Sequence, residues 1–336
     1  MRMMELPTGK RVLSAAQPTG APHIGNYLGA FQQWVALQDT GNACFFPIVD
    51  LHAITLPYDP KTFPDIVLRT AALYCAVGID PQKSTLFVQS HIPAHTEAAW
   101  LLTTITPVGD LTRMTQFKDK AQKQKTVGAG LLNYPILMAA DILLYRADLV
   151  PVGEDQIQHL EFARTLAHKF NRQFGETLKQ PRAFLLKDTG RIMSLADPAR
   201  KMSKSDSPAS AVSLWDAPDS IRRKIRSAVT DSGTAVNPKK LGPALRNLLM
   251  IYASFSGKTV PEVAGSFAGQ GYAAFKITLA ELLIEKLSPI RERAETLFRE
   301  RQELRRLLRE GADRARAAAE PTLAAMKNRM GLHPVA

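Results

Sequence analysis

Two short polar segments carry side chains suited to handling a phosphorylated ligand. The first is Gln17-Pro18-Thr19-Gly20-Ala21-Pro22-His23-Ile24-Gly25-Asn26, a Pro/Gly turn directly after an apolar run and just ahead of a helix whose apolar face includes Leu28, Phe31 and Val35. A helix N-terminus at the carboxyl end of a parallel strand offers unpaired N–H groups and the positive end of the helix dipole, both suited to phosphate oxygens. Gly25 would let a flat ligand approach the backbone, and His23 and Asn26 would add side-chain donors that stabilise charge on a departing pyrophosphate. The plain alternative is an ordinary βα turn with a surface histidine. The second segment is Lys201-Met202-Ser203-Lys204-Ser205. Two ammonium groups and two hydroxyls on a short loop can close over a triphosphate and tighten as charge shifts in the transition state. Taken alone, the same pentamer is equally a solvated linker.

A third candidate is a single carboxylate. Tyr134 to Tyr145 is apolar except for Asp141, and an Asp in such a run needs a partner or costs several kcal/mol. An ionised carboxylate is the natural complement of a group that only donates, such as an indole N–H. The alternative is a packing carboxylate tied to Arg146 or to a backbone N–H, with Met138 as ordinary core.

Other patterns fall away. Gly257-Lys258-Thr259 has the end of a P-loop, but Tyr252 stands where its first glycine is required and no strand precedes it. His91 and His95 share helical spacing without the Glu of a zinc-protease motif, which points to packing or capping. No Ser/His/Asp nucleophile set is recognisable. Cys44 and Cys75 are too few and too far apart for a disulfide framework or a thiolate metal site, so no protein-ligated metal is expected, and a reducing cytoplasm fits. The basic stretch Gln116 to Lys125 reads equally as a solvated loop or as a contact for a nucleic acid or a second subunit.

These residues need elements to hold them. Arg11–Ala16, Cys44–Val49, Thr85–Gln89 and Ala147–Val152 read as buried strands with amphipathic helices between, a pattern that predicts a parallel α/β sheet. Beyond about Asp197 the pattern turns helical, with Ile221–Val229, Pro243–Tyr252 and one long stretch from Ala273 to Leu308. The expected fold class is therefore α/β: a Rossmann-like catalytic domain over 1–195, a mobile Lys-Met-Ser-Lys-Ser loop over 196–210 and an all-helical domain over 211–336.

The 336 residues suffice for a large core, and a formal charge of +12 favours a polyanionic partner through Coulomb attraction and counterion release. Within Arg291 to Arg316 the arginines alternate with Glu292, Glu295, Glu300, Glu303 and Glu310, as on a salt-bridged exposed face. The N-terminus has no apolar leader, and the most apolar stretch, Leu131 to Tyr145, is interrupted by Asn133, Pro135 and Asp141, so no membrane association is expected.

The His-Ile-Gly turn and the Lys-Met-Ser-Lys-Ser loop, in this order, resemble the two signatures of class I aminoacyl-tRNA synthetases. The strings Asp50-Leu51-His52-Ala53-Ile54-Thr55, Met114 to Lys118, Leu131 to Tyr145, Gly153-Glu154-Asp155-Gln156 and Arg191 to Leu195 extend the likeness over essentially the whole chain, to the bacterial-type tryptophanyl-tRNA synthetase family. The resemblance implies ATP-dependent activation of tryptophan and its transfer to tRNA(Trp), with Mg²⁺ on the triphosphate, in a cytoplasmic homodimer. It assigns ATP to Gln17, Pro18, Thr19, Gly25, Asn26, Gly153, Glu154, Asp155, Ile192, Lys201, Met202, Ser203, Lys204 and Ser205, with His23, Asn26, Lys201 and Lys204 catalytic. Tryptophan falls to Asp141 at the indole, Met138, Val150 and Val152 as walls, Tyr134 and Gln156 at the α-amino group, and His52 nearby. Basic tRNA contacts fall to Arg222, Arg223, Lys224 and Arg226. Two departures stand out: Ala15 where the family usually has glycine, beside the amino-acid pocket, and His23 where Thr is commoner. A tyrosine-specific ligase of the same architecture and a silent tRNA-binding paralogue are the alternatives.

Overall fold

Five short runs make one parallel sheet: β1 (Arg11–Leu13), β2 (Ala43–Ile48), β3 (Thr85–Val88), β4 (Leu149–Val152) and β5 (Arg182–Leu185), in the spatial order β3-β2-β1-β4-β5. The computed structural model describes residues 6–122, 126–185, 191–203 and 207–332. Four strands follow from their apolar runs, and β2 is buried along all but its first residue, as a strand covered on both faces must be. β5 was not expected. It is an edge strand in which Arg182, Ala183 and Leu185 are exposed, so it carries no buried apolar run to read.

The alternation of side chains across the strands divides the core in two. Val12, Phe46, Ile48, Leu86 and Val88 face a cluster built with the helical run from Ile24 to Asp39 and with the helices Phe63–Ala76, Pro218–Ser227, Pro243–Ser256 and Tyr272–Arg299. Leu13, Phe45, Phe87, Val150 and Val152 face the other, built with the helices Ala94–Thr103, Ala129–Leu144 and Ile157–Phe174.

The expected long helix from Ala273 to Leu308 is instead two, Tyr272–Arg299 and Arg301–Arg329, meeting at Glu300 (φ −79°, ψ 53°). No glycine or proline marks the break, while Pro289 and Pro321 are accommodated inside the helices. Tertiary packing supplies the reason. The last helix lies along β3, giving Leu304 and Leu308 to the first cluster and Ala312, Ala315, Ala319, Leu323 and Met326 to the second. It shields the β3 edge from pairing with another chain. Hydrophobic core thus runs across the expected 196–210 boundary.

Gly311 makes this packing possible, because a Cβ there would lie 1.7 Å from the carbonyl oxygen of Leu86. Gly311→Ala must push the helix off the sheet and is expected to destabilise the fold by about 3 kcal/mol, read as a lower urea midpoint. An unchanged midpoint would show that the helix yields freely.

Gly257-Lys258-Thr259 has a structural explanation. Gly257 (φ +71°) ends Pro243–Ser256 in the left-handed region, and Thr259 opens Val260–Ser266 through a reciprocal capping box with Glu262. No helix among the described residues is long and apolar enough to cross a membrane.

Candidate active site

The chain crosses from β3 to β4 on the far side of β1, so the strand order reverses beside β1, and ligands of such sheets lie outside the carboxyl ends at that point. A cavity of about 840 Å³ opens there. It brings together Ala15, Gln17 and Thr19 from the turn after β1, His23, Gly25 and Asn26 from the helix start, and His52 from beyond β2. Tyr134, Met138 and Asp141 reach it from Ala129–Leu144, Val150, Val152, Gly153, Asp155 and Gln156 from β4 and its loop, and Lys201, Met202 and Ser203 from the Lys-Met-Ser-Lys-Ser loop, here termed the flap. Pro18, Glu154 and Ile192 are not among its lining residues; Ile192 is buried behind Gly25. Lys204 and Ser205 lie outside the described residues. Ser14, Trp34 and Gln116 line the cavity without having been anticipated.

The helix start differs from expectation in one respect. Its first N–H groups are occupied: Ile24 donates to Val212 O (3.0 Å), Gly25 to His23 Nδ1 (3.1 Å), and Asn26 and Tyr27 to His23 O (2.8 and 3.1 Å). The imidazole is the cap, and Asn26 Oδ1 closes the box by accepting from His23 N at 3.0 Å. The first-turn N–H groups are therefore already committed within the chain, and the Asn26 amide NH₂ is a side-chain donor at this end of the cavity. Gly25 also acquires a second role, as a Cβ would sit 3.0 Å from the His23 ring.

The flap begins as a small antiparallel pairing of Met193 with Lys201, in which Ser194 N donates to Arg200 O (2.8 Å) and Met202 N to Ile192 O (3.1 Å). Met202 is buried in the first core cluster and anchors it. Asn247, on Pro243–Ser256, grips Met193 through both main-chain groups, accepting from N and donating to O at 2.9 Å each. Lys201 is left exposed at the cavity rim.

Asp141 is 3 % exposed and heavily bonded. Gln89 Nε2 lies 2.8 Å from each of its oxygens, His52 Nε2 2.9 Å from Oδ2, and His95 Nδ1 2.5 Å from Oδ1. His95, fully buried, continues to the Tyr145 hydroxyl at 2.8 Å. Arg146 takes no part, its guanidinium donating to Thr177 O at 3.3 Å. Burial by itself would raise the Asp141 pKa, but the charge of His95 and the hydrogen bonds from His52 and His95 overturn this and hold it below the usual carboxylate range. Of its partners only His52 also lines the cavity, so the His52 bond is the one an incoming donor meets.

Because its folded pKa is depressed, ionised Asp141 contributes stability that is complete above the unfolded value of ~3.9 and lost as pH falls toward the folded value. The stability gap between wild type and Asp141→Asn, measured by urea unfolding, is therefore expected to shrink from pH 6 toward pH 3. A constant gap would contradict this.

The Tyr134 hydroxyl lies 2.7 Å from His159 Nε2, and burial pushes its pKa up to about 12, so it stays a neutral phenol. Gln156 donates to Asp155 Oδ2 at 2.8 Å. Among the helical residues, Arg222 is held by Glu281 and Asp219 and Lys224 by Asp216, whereas Arg223 and Arg226 are exposed with no acidic partner among the described residues.

The carboxyl ends of the parallel strands, the capped turn and the Met193–Lys201 pairing thus meet at one cavity. Residues 8–288 match the family model described as tRNA synthetases class I (W and Y), and the chain belongs to that family. It is 53 % identical over 327 residues to the tryptophan–tRNA ligase of Caldanaerobacter subterraneus subsp. tengcongensis, covering 96 % of this chain and 98 % of that one. Its fold is similar to the tryptophanyl-tRNA synthetase of Mycoplasma pneumoniae (TM-score 0.87, 35 % identity, 97 % and 99 % of the two chains). It is likewise similar to that of Campylobacter jejuni complexed with ADP and tryptophan (TM-score 0.86, 35 % identity, 96 % and 100 %).

Proposed function

We infer that the protein is a tryptophan–tRNA ligase in which Asp141 receives the indole N–H. The observation that carries this is a buried carboxylate, bonded to Gln89, His52 and His95, in the same cavity as His23, Asn26 and Lys201. The indole would replace or share the His52 bond, with Met138, Val150 and Val152 against the ring and Tyr134 and Gln156 near the α-amino group. Ala15 adds a methyl group to that wall.

The tryptophan carboxylate attacks the α-phosphorus of ATP in line, the bond to the β-phosphate oxygen breaks, and pyrophosphate leaves with its electron pair. A terminal ribose hydroxyl of tRNA(Trp) then attacks the acyl carbon of tryptophanyl-adenylate and AMP departs, one proton being lost from the hydroxyl. No side-chain nucleophile is needed: positioning and charge stabilisation suffice. His23, Asn26, Lys201 and, from the sequence, Lys204 stabilise the leaving pyrophosphate. Gln17, Thr19, Gly25, Gly153, Asp155 and the flap residues Met202 and Ser203 hold the nucleotide, with Mg²⁺ arriving on the triphosphate. Arg223 and Arg226 are the better candidates for tRNA phosphates, since Arg222 and Lys224 are already ion-paired. Exposed Trp100 and Val108 offer apolar surface that a homodimer would cover.

Amino-acid-dependent pyrophosphate exchange tests the reading across all twenty amino acids. Exchange with tryptophan is expected to exceed that with phenylalanine by about a thousandfold, because phenylalanine leaves the buried acceptor unpaired. A phenol can also donate to Asp141, so equal exchange with tyrosine would overturn the assignment.

A further inference from the structure

A second cavity, of about 640 Å³, lies between Phe63–Ala76 and the last helix, beyond the carboxyl ends of β2 and β3. It shares no lining residue with the first. Phe63, Pro64, Val67, Leu68, Val88 and Leu308 give it apolar walls, and Arg305, Arg309, Gln302 and His91 bring polar groups to it. Its volume and composition are those of a small-molecule pocket.

The charges around it are arranged unevenly. Four other arginines of the last helix have partners: Arg301 is bidentate to Asp65, Arg306 pairs with Glu303 and Glu310, Arg316 with Asp313, and Arg314 donates to the carbonyls of Pro81 and Ser84. Arg305 and Arg309, one helical turn apart, have no acidic partner among the described residues. Asp65, whose charge interacts with Arg305, has both oxygens on Arg301. Asp50, the one carboxylate in the lining, accepts from Leu51 N (3.0 Å), Ser90 N (2.9 Å) and Ser90 Oγ (2.5 Å).

We propose that this cavity is a second ligand site that takes an amphipathic anion, with an apolar body against Phe63, Val67, Leu68 and Leu308 and a carboxylate, sulfonate or phosphate across Arg305 and Arg309. The paired guanidiniums disfavour cations and suit oxyanions, planar or tetrahedral, that present two oxygens to the N–H fork. A bare inorganic anion would leave the apolar walls wet.

The probe is 8-anilinonaphthalene-1-sulfonate, titrated by fluorescence into the full chain with tryptophan and a non-hydrolysable ATP analogue saturating the active site. Saturable binding at one site is expected, with Arg305→Glu/Arg309→Glu weakening it by about tenfold or more. Val67→Trp, which fills the cavity, is expected to weaken it likewise, and tryptophan-dependent pyrophosphate exchange is expected to be unchanged in both variants. Neutral 1-anilinonaphthalene should bind weakly and ignore the charge reversal. No binding, displacement by the active-site ligands, equal affinity in the charge-reversed protein or equal binding of the neutral dye would each overturn the proposal. Failure of the ligase assignment would appear separately, in the exchange assay of the wild type.

Discussion

Asp141→Asn is expected to lower kcat/KM for tryptophan by about 100- to 1000-fold, a loss of roughly 3–4 kcal/mol of transition-state stabilisation. The carboxylate accepts from Gln89, His52 and His95 together, and its depressed pKa keeps it charged at neutral pH. An amide has one acceptor oxygen, and its NH₂ would be turned toward donors already in place. Some buried donors are then left without an acceptor, so the same variant should lose about 3 kcal/mol of stability, read by urea unfolding. Gln89→Ala gives the complementary result. It leaves the charge but frees the carboxylate to turn, and should raise KM for tryptophan while changing kcat little. Wild-type kinetics in Asp141→Asn would remove the acceptor from its assigned role.

For Lys201→Ala the expected result is adenylate formation slowed by about 100-fold in single-turnover measurements, with the tryptophan dissociation constant unchanged. Lys201 stands exposed at the rim on a pairing whose other strand is gripped by Asn247, so its ammonium is free to follow the triphosphate while its backbone stays in register. Such a group acts where charge develops, not where the ground state binds. Lys204→Ala should behave alike. Weakened tryptophan binding with an unaltered rate would contradict the flap's part in the chemistry.

Much of this site is legible in the residues. The four apolar runs that became β1 to β4, the turn from Gln17 to Asn26, the flap and Asp141 each announce themselves by type and spacing. What escapes is what only the tertiary structure assembles. Gln89 ends an apolar strand and His95 sits on another helix, and neither shows in sequence that it meets Asp141. The one available hint is that Asp141 and Tyr145, four residues apart on one helix face, could share a partner, as they do in His95. Asn247 looks like an ordinary helix residue until its side chain is seen across the Met193 backbone. The occupied N–H groups at Ile24 to Tyr27 escape for a similar reason, since a dipole argument sees a helix end but not an imidazole folded back upon it. At Glu300 a long helix divides because the sheet edge needs covering, a demand no local residue encodes.

The sharpest test removes the proton and keeps the shape. Tryptophan and 3-benzothienylalanine differ at the ring in N–H against S, and their kcat/KM values in pyrophosphate exchange can be compared for wild type and Asp141→Asn. The wild type is predicted to favour tryptophan by about 100-fold or more, and the variant to lose most of that preference. Equal use of the two amino acids by the wild type would contradict recognition of the indole N–H by Asp141.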